Sequence, residues 1–419
     1  MKDQGKLKFD FDSSTYKAAR LAVMGVGGAG SNAVGTMIER NVENVTLVVC
    51  NTDLQALEHS KVAIQLQLGE MTTKGRGAGG NPAAGHKSAE ESLTAVEELI
   101  RGVDMLFITA GMGGGTGTGA APVIARKATD MGILTVGIVT RPFRFEGRKR
   151  DQIAQQGIEA MKDSVNTLIV IPNQKLMELE EADLTIMDAF KRADEVLVNA
   201  VRGISDLITT AGYVNVDFAD VQAIMENSGM AIMSTGEASG EDRALEAAKK
   251  AIASPLLDSL NIAGAKGVLV NITGPTNMSM GELDKAVGYI QDSADPNATF
   301  IFGYVLDETM KDAIKVTVIA TGLDQSDHAE QDERIRRRRS FQENLDVPAW
   351  VRQGREREAV RPGMEAPREP PARETVPREK KVISIPYTRT SLIEADMIEE
   401  QIEIPSFRRR EMQAKKGQS

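Results

Sequence analysis

The sequence predicts an α/β fold: a doubly wound, mostly parallel sheet, a long central helix, a second and smaller α+β domain, and a disordered C-terminal tail. Three observations predict it. From Leu21 onward short apolar runs alternate with stretches of helical periodicity; two of those runs lead directly into glycine-rich loops; and beyond Gly322 periodicity vanishes while proline and charge accumulate. Alternating strands and helices bury best as a parallel sheet covered on both faces, because a right-handed crossover returns each helix to the sheet. The patterns place a flexible segment over 1–19, an α/β domain over 20–187, the central helix over 188–211, the α+β domain over 212–322 and the tail over 323–419.

At 419 residues and 41% hydrophobic content the chain can bury a core large enough for two domains. Residues 1–19 hold no apolar stretch, and no run approaches the roughly 20 apolar residues that span a bilayer, so a cytoplasmic location is expected. A single cysteine, Cys50, excludes an intrachain disulfide, and three scattered histidines exclude a zinc cluster. The net charge of −10 is uneven: residues 334–419 carry 20 Lys+Arg against 14 Asp+Glu, which leaves an acidic body and argues against nucleic acid as a partner.

The first strand, Leu21 to Val26, runs into Gly25-Val26-Gly27-Gly28-Ala29-Gly30-Ser31-Asn32, after which Ala33, Met37 and Ile38 recur at helical spacing. Gly25, Gly27 and Gly30 fit G-x-G-x-x-G, and Asp53, past the second strand (Val45 to Cys50), stands where a dinucleotide fingerprint puts its acid. That match alone is also compatible with an NAD-dependent oxidoreductase. Val62 to Leu66 reads as the third strand. The loop Gly69 to Pro82, with Lys74 and Arg76, falls on the edge where ligands gather in such sheets, and Asn81-Pro82 opens a helix to about Ile100.

The fourth strand, Met105 to Thr109, ends in Ala110-Gly111-Met112-Gly113-Gly114-Gly115-Thr116-Gly117-Thr118-Gly119, six glycines and two threonines in ten residues. Such a loop lets consecutive N–H groups converge on one anion, and the helix behind it adds its positive end. No lysine follows until Lys127, so this is not a Walker loop; phosphate charge is left to backbone dipoles and a bound Mg²⁺. A dehydrogenase has no use for a second glycine loop, so the pair favours a nucleotide whose phosphates are gripped from two sides.

Ile133 to Thr140 is the fifth strand, Arg141 to Arg150 a loop with five cations and one acid, and Thr167 to Pro172 the last strand of this half. Asp188 to Ala211 is apolar almost all round and reads as a buried strut. Asn215 to Val221 puts Asp217 at a helix N-cap and Asp220 at N3, which also presents two carboxylates able to orient a water. Strand Ala231 to Thr235, helix Glu241 to Ala253, strand Gly267 to Thr273, helix Ser279 to Asp292 and strands Thr299 to Val305 and Lys315 to Thr321 make the second layer, in which no titratable cluster is expected. The tail from Arg334 holds eight of 15 prolines and two islands, Leu345 to Arg352 and Ile402 to Arg410, each an acid, an aliphatic, Pro, a small residue, an aromatic and Arg. Both are candidate docking peptides.

Gly113 to Gly119 resembles the signature of the tubulin/FtsZ superfamily; Asn51-Thr52-Asp53, Phe145 to Arg150, Asn215 to Val221 and Gly240-Glu241-Asp242-Arg243 resemble its bacterial FtsZ branch, in order from about Arg20 to Gly322. The resemblance implies a self-polymerising GTPase of head-to-tail protofilaments and the division-site ring of bacterial cytokinesis, with GTP as substrate, GDP as product and Mg²⁺ as cofactor. By the same resemblance Gly28, Ala29, Gly30, Ser31 and Asn32, with Gly115, Thr116 and Gly117, hold the phosphates and Thr140 lies at the ribose. Glu146 and Arg150 contact the nucleotide, Asn32 and Asp194 read the guanine edge, and Phe190 packs on its face. Asp217 and Asp220 are the catalytic pair, on a loop that enters the neighbour's site. The implied partners are further copies of the chain and, through the tail, membrane-tethering and regulatory division proteins, with membrane contact indirect and assembly on the membrane's inner face. The Arg408 to Arg410 run offers a direct contact to anionic lipid. The alternative is a nucleotide-binding structural polymer with negligible hydrolysis.

Overall fold

The computed structural model describes residues 19–178, 185–209, 216–226, 228–256 and 262–323. The expectations for residues 1–18, for Asn215 and for both tail islands lie outside the described residues. In chain order the elements are β1 (Leu21–Val26), α1 (Gly27–Glu39), β2 (Val45–Asn51), α2 (Leu54–Glu58), β3 (Ile64–Gln67), α3 (Glu70–Thr73), α4 (Pro82–Glu91), α5 (Leu93–Ile100), β4 (Met105–Gly111), α6 (Thr116–Asp130), β5 (Leu134–Arg141), α7 (Arg148–Lys162) and β6 (Thr167–Pro172). There follow α8 (Asn173–Glu178), α9 (Ile186–Thr209), α10 (Phe218–Met225), β7 (Gly229–Ser239), α11 (Arg243–Ile252), β8 (Gly267–Gly274), α12 (Met280–Ser293), β9 (Thr299–Leu306) and β10 (Ala313–Thr321).

The strands form one ten-stranded sheet in the order β3-β2-β1-β4-β5-β6-β7-β10-β8-β9. From β3 to β7 every pairing is parallel, β10 is antiparallel to both β7 and β8, and β9 is parallel to β8. The winding reverses between β1 and β4, which opens a crevice at their carboxyl ends.

Every residue of β1 is buried, because alternate side chains enter cores on opposite faces. Val23, Phe107 and Ile138 pack with Met37 of α1 and Leu197 and Val201 of α9. Met24, Ile108 and Val139 pack with Val96, Ile124 and Ile158 on the other face. A third core joins α11 and α12 to Ile232, Val270, Ile272 and Val318.

Three expectations need correction. The helix expected to run to Ile100 breaks at Ser92 into α4 and α5: Ser92 has φ −100° and ψ 8°, outside the helical region, and its Oγ accepts the Gly69 N–H at 3.0 Å. The central helix is buried on most sides only from Leu197 to Leu207; its first turns expose Ile186, Met187 and Phe190. The second half does hold a titratable cluster: buried Arg243 meets Glu282 at 2.9 Å, Asp312 at 2.6 Å and Asn277 at 2.9 Å. These four residues are far apart in the chain, so no local pattern announces them. The cysteine is core, as its apolar strand suggests, and burial pushes the Cys50 thiol up to about 12.

Candidate nucleotide site

The parallel register of β1 and β4 pairs Val26 with Ala110, so the two glycine loops leave the sheet side by side at the crevice. Each opens a helix without delay. Neither α1 nor α6 has a side-chain cap or an acid in its first turn, so their leading N–H groups and dipole ends are free for an anion.

Packing explains only part of the glycine content. A Cβ on Gly30 would stand 2.4 Å from Thr109 O, and one on Gly117 2.7 Å from Gly111 O, so these glycines let the loops interlock. Gly27 has φ +74°, which a side chain resists, and faces Gly117 N. Gly28 and Gly114 differ: neither has positive φ, and a Cβ on either meets nothing within 4 Å. The fold does not need glycine there, but a ligand pressed against the backbone does. Among the described residues Ser31 Oγ and Thr109 Oγ1, both at this crevice, are buried without a hydrogen-bond partner. Orphaned hydroxyls beside free N–H groups fit a phosphate.

The other expected residues fall around this cradle. Ala29 abuts Gly111, and Thr116 Oγ1 shares a hydrogen with Thr52 Oγ1 at 2.6 Å. Thr140, buried at the end of β5, accepts the Met112 N–H through its carbonyl at 2.9 Å. Glu146 is occupied within its own loop: Oε1 accepts the Phe143 N–H at 2.8 Å and Oε2 pairs with Arg150 Nε at 3.2 Å. Arg150 in turn lies against Gly113. Of the five cations in this loop, Arg141 is clamped by Asp151 at 2.6 and 2.9 Å. Asp53 accepts from Gln55 N and Ala56 N and is spent on capping α2.

Phe190 is exposed and stands edge-on to Phe143 and Phe145, at 5.4 and 6.3 Å between ring centroids. Asn32 is exposed on α1, and α9 is tied to the far end of that helix by an Arg40–Glu195 ion pair and by Arg202 donating to Arg40 O. Asp194, next to Glu195, is half-buried with no partner among the described residues, and burial pushes its carboxyl up to about 7.

The structure does not bring Asp217 and Asp220 to the cradle. Both are exposed at the start of α10, where Asp217 Oδ1 accepts the Asp220 N–H at 2.9 Å. The end of α10 is bonded to Thr167, the first residue of β6, and to Thr321, the last of antiparallel β10. Both lie at the strand ends opposite the glycine loops, about 20 Å away by strand length. A cavity of about 940 Å³ between α4, α6 and α7 is lined by His86, Arg126 and Gln156 and reaches the second glycine loop at Thr118 and Gly119. Sequence reasoning missed Glu91, whose side-chain bonds are all to residues distant in the chain, and the link from Thr52 to Thr116.

An open parallel sheet whose switch point carries two facing, uncapped helix starts is a phosphate-binding, nucleotide-type α/β domain. Residues 20–181 match the tubulin/FtsZ family GTPase domain, and residues 229–324 the FtsZ family C-terminal domain. The chain is similar to an empty FtsZ dimer from M. jannaschii, 43% identical over 73% of this chain and 89% of that one, with a TM-score of 0.70. A mutant of the same protein gives 43% identity over 73% and 92%, with a TM-score of 0.71. The GDP-bound monomer of CetZ1 from Haloferax volcanii, 21% identical over 73% and 94%, shares the fold at a TM-score of 0.63. The chain therefore belongs to the tubulin/FtsZ family, and its first half is a GTPase domain. Among the described residues no helix is long and apolar enough to cross a membrane.

Proposed function

We propose that this chain is a GTP-hydrolysing filament protein of cell division, whose active site is completed only when a second copy stacks head-to-tail on the first. One observation carries the reading. The phosphate cradle and the exposed Asp217–Asp220 pair lie at opposite ends of the strands of one sheet, so a single chain cannot use both at once. The similarity to an FtsZ dimer supports the same arrangement.

In this reading the N–H groups of Gly28 to Asn32 and of Gly115 to Gly117 hold the phosphates, and Thr140 lies at the ribose. Glu146 and Arg150 border the nucleotide, and Phe190 covers the base. Asn32 and Asp194 read the guanine edge, where an unpaired half-buried carboxylate suits two N–H donors. Asp217 and Asp220 of the incoming copy orient the attacking water and take up its proton as it adds to the terminal phosphorus. Mg²⁺, when bound, neutralises charge on the phosphate oxygens. Among the described residues no group of three His, Cys, Asp or Glu could hold it, so its ligands would be mainly phosphate and water. The filament would serve the division-site ring at the membrane's inner face, with tethers and regulators taken up by the tail islands.

Turnover per molecule measured against protein concentration, with sedimentation alongside, tests this. Specific activity should rise with assembly. An isolated subunit blocked from stacking that cleaves GTP as fast as the assembled material would overturn it.

A further inference from the structure

The loop between β3 and α4 is fastened in an unusual way. α3 opens on Gly69 in the left-handed region at φ +67°, where no side chain is available for the first N–H groups. Glu91, at the end of α4, supplies what Gly69 lacks: Oε1 accepts the Met71 N–H at 2.7 Å, and Oε2 accepts the Thr72 N–H at 3.0 Å and its hydroxyl at 2.7 Å. These bonds, that from Met71 foremost, hold the Glu91 carboxyl below the usual carboxylate range, so it is charged at neutral pH.

Both ends of this tie reach the cradle. α4 is fixed to it through Gly85, whose missing Cβ would stand 2.3 Å from Gly115 O. α3 reaches it through Thr73 Oγ1, which donates to Thr52 O at 3.1 Å, while Thr52 Oγ1 meets Thr116 Oγ1 at 2.6 Å. Between α3 and Asn81, Lys74, Gly75, Gly77, Gly79 and Gly80 all have positive φ, and the stretch is held at α3, at Asn81 and midway against the end of β2, where Leu54 N donates to Gly75 O at 3.0 Å and Gly77 N to Thr52 O at 3.1 Å. It then passes directly over the start of α6: a Cβ on Gly115 would stand 2.8 Å from Ala78 Cβ and 2.9 Å from Asn81 N.

We infer that Glu91 is a positioning residue for the phosphate end of the site: by fixing α3 it sets how residues 74–80 close over the start of α6. It thereby makes the site distinguish a nucleoside triphosphate from a diphosphate. This rests on the proposed reading that phosphates occupy the cradle. A mere brace would steady the fold equally for either nucleotide; a positioning residue acts on their ratio.

The test uses the full chain with Glu91→Ala, Glu91→Gln and, as a control, Glu90→Ala, whose contact with His86 does not touch the loop. Equilibrium affinities for GDP and for GTPγS are measured together with kcat and KM for GTP. Glu91→Ala should hold GDP within about twofold of wild type yet lose about tenfold in GTPγS affinity, the worth of a charged hydrogen-bond set, with kcat falling alongside. Glu91→Gln should fall between, since its amide oxygen still accepts one N–H, and Glu90→Ala should match wild type. An unchanged GTPγS-to-GDP ratio and unchanged turnover in Glu91→Ala would overturn the inference. If that variant does not fold by circular dichroism, Glu91→Gln and Thr72→Val carry the same criterion. Wild-type protein that fails to hydrolyse GTP would instead sink the underlying reading of the site.

Discussion

On the proposed function Asp194 should couple stability and ligand choice in opposite directions, and one substitution separates them. Burial raises its carboxyl from 3.8 to about 7. A folded-state pKa above the unfolded value means that folding takes up a proton between the two. The stability tied to this group is thus present in full below about pH 4 and is lost as pH rises through about 7. Asp194→Asn removes the ionisation. It should raise the stability of the nucleotide-free protein at pH 8 by roughly 2–4 kcal/mol, about three pKa units discounted for partial exposure, and change little at pH 4. If Asp194 reads the guanine edge as proposed, binding runs the other way, because only the ionised carboxylate accepts both guanine donors. With a pKa of about 7, roughly one molecule in eleven is ionised at pH 6 and ten in eleven at pH 8, so affinity for GTP should rise about tenfold across that interval. Comparing wild type with Asp194→Asn at each pH cancels the titration of the phosphates themselves. Thermal melts at pH 4 and 8, and titrations with GTP and ITP, make the assay. The reasoning fails if the variant melts like wild type at pH 8, or if the wild-type-to-variant affinity ratio is the same at pH 6 and 8.

Further expectations follow from single features. Gly28→Ala, whose Cβ faces open space, should melt like wild type while losing GTP affinity; Gly30→Ala, whose Cβ would stand 2.4 Å from Thr109 O, should lose stability instead. Melting curves and nucleotide titrations on the pair distinguish a ligand-facing glycine from a packing one. Asp217→Ala should cost about 1 kcal/mol as a lost N-cap and leave GTP affinity intact while abolishing turnover in the assembled protein. Arg243→Ala, which leaves the partly buried Glu282 without its partner while Asp312 turns to solvent, should destabilise by about 1–3 kcal/mol in urea unfolding. Its Arg243 partnership, with Ser279, holds Glu282 down to about 2, so wild-type stability from this carboxylate is present above about pH 4.5 and is lost as pH falls toward 2. The variant should show a shallower acid transition over that window.

Much of the fold was legible because it is written locally. Strands such as Leu21–Val26 and Thr167–Pro172 are apolar runs closed by turn residues, and buried parallel strands need no alternation to be seen. The glycine loops were legible for the same reason: backbone that must approach an anion excludes side chains, and composition records that. What escaped notice was the set of bonds between residues distant in the chain. Glu91 on Met71 and Thr72, Arg243 on Glu282 and Asp312, and Ser92 on Gly69 leave no periodic trace.

By itself the amino-acid sequence determined that two glycine loops follow two strands, that an acid pair caps a later helix, and that the chain is α/β, since these depend on neighbours a few residues apart. The tertiary structure alone decided that both loops meet at the reversal between β1 and β4 while the acid pair lies at the opposite ends of the strands. Strand order and direction are set by how helices pack across the sheet, a long-range choice that no short stretch of chain encodes.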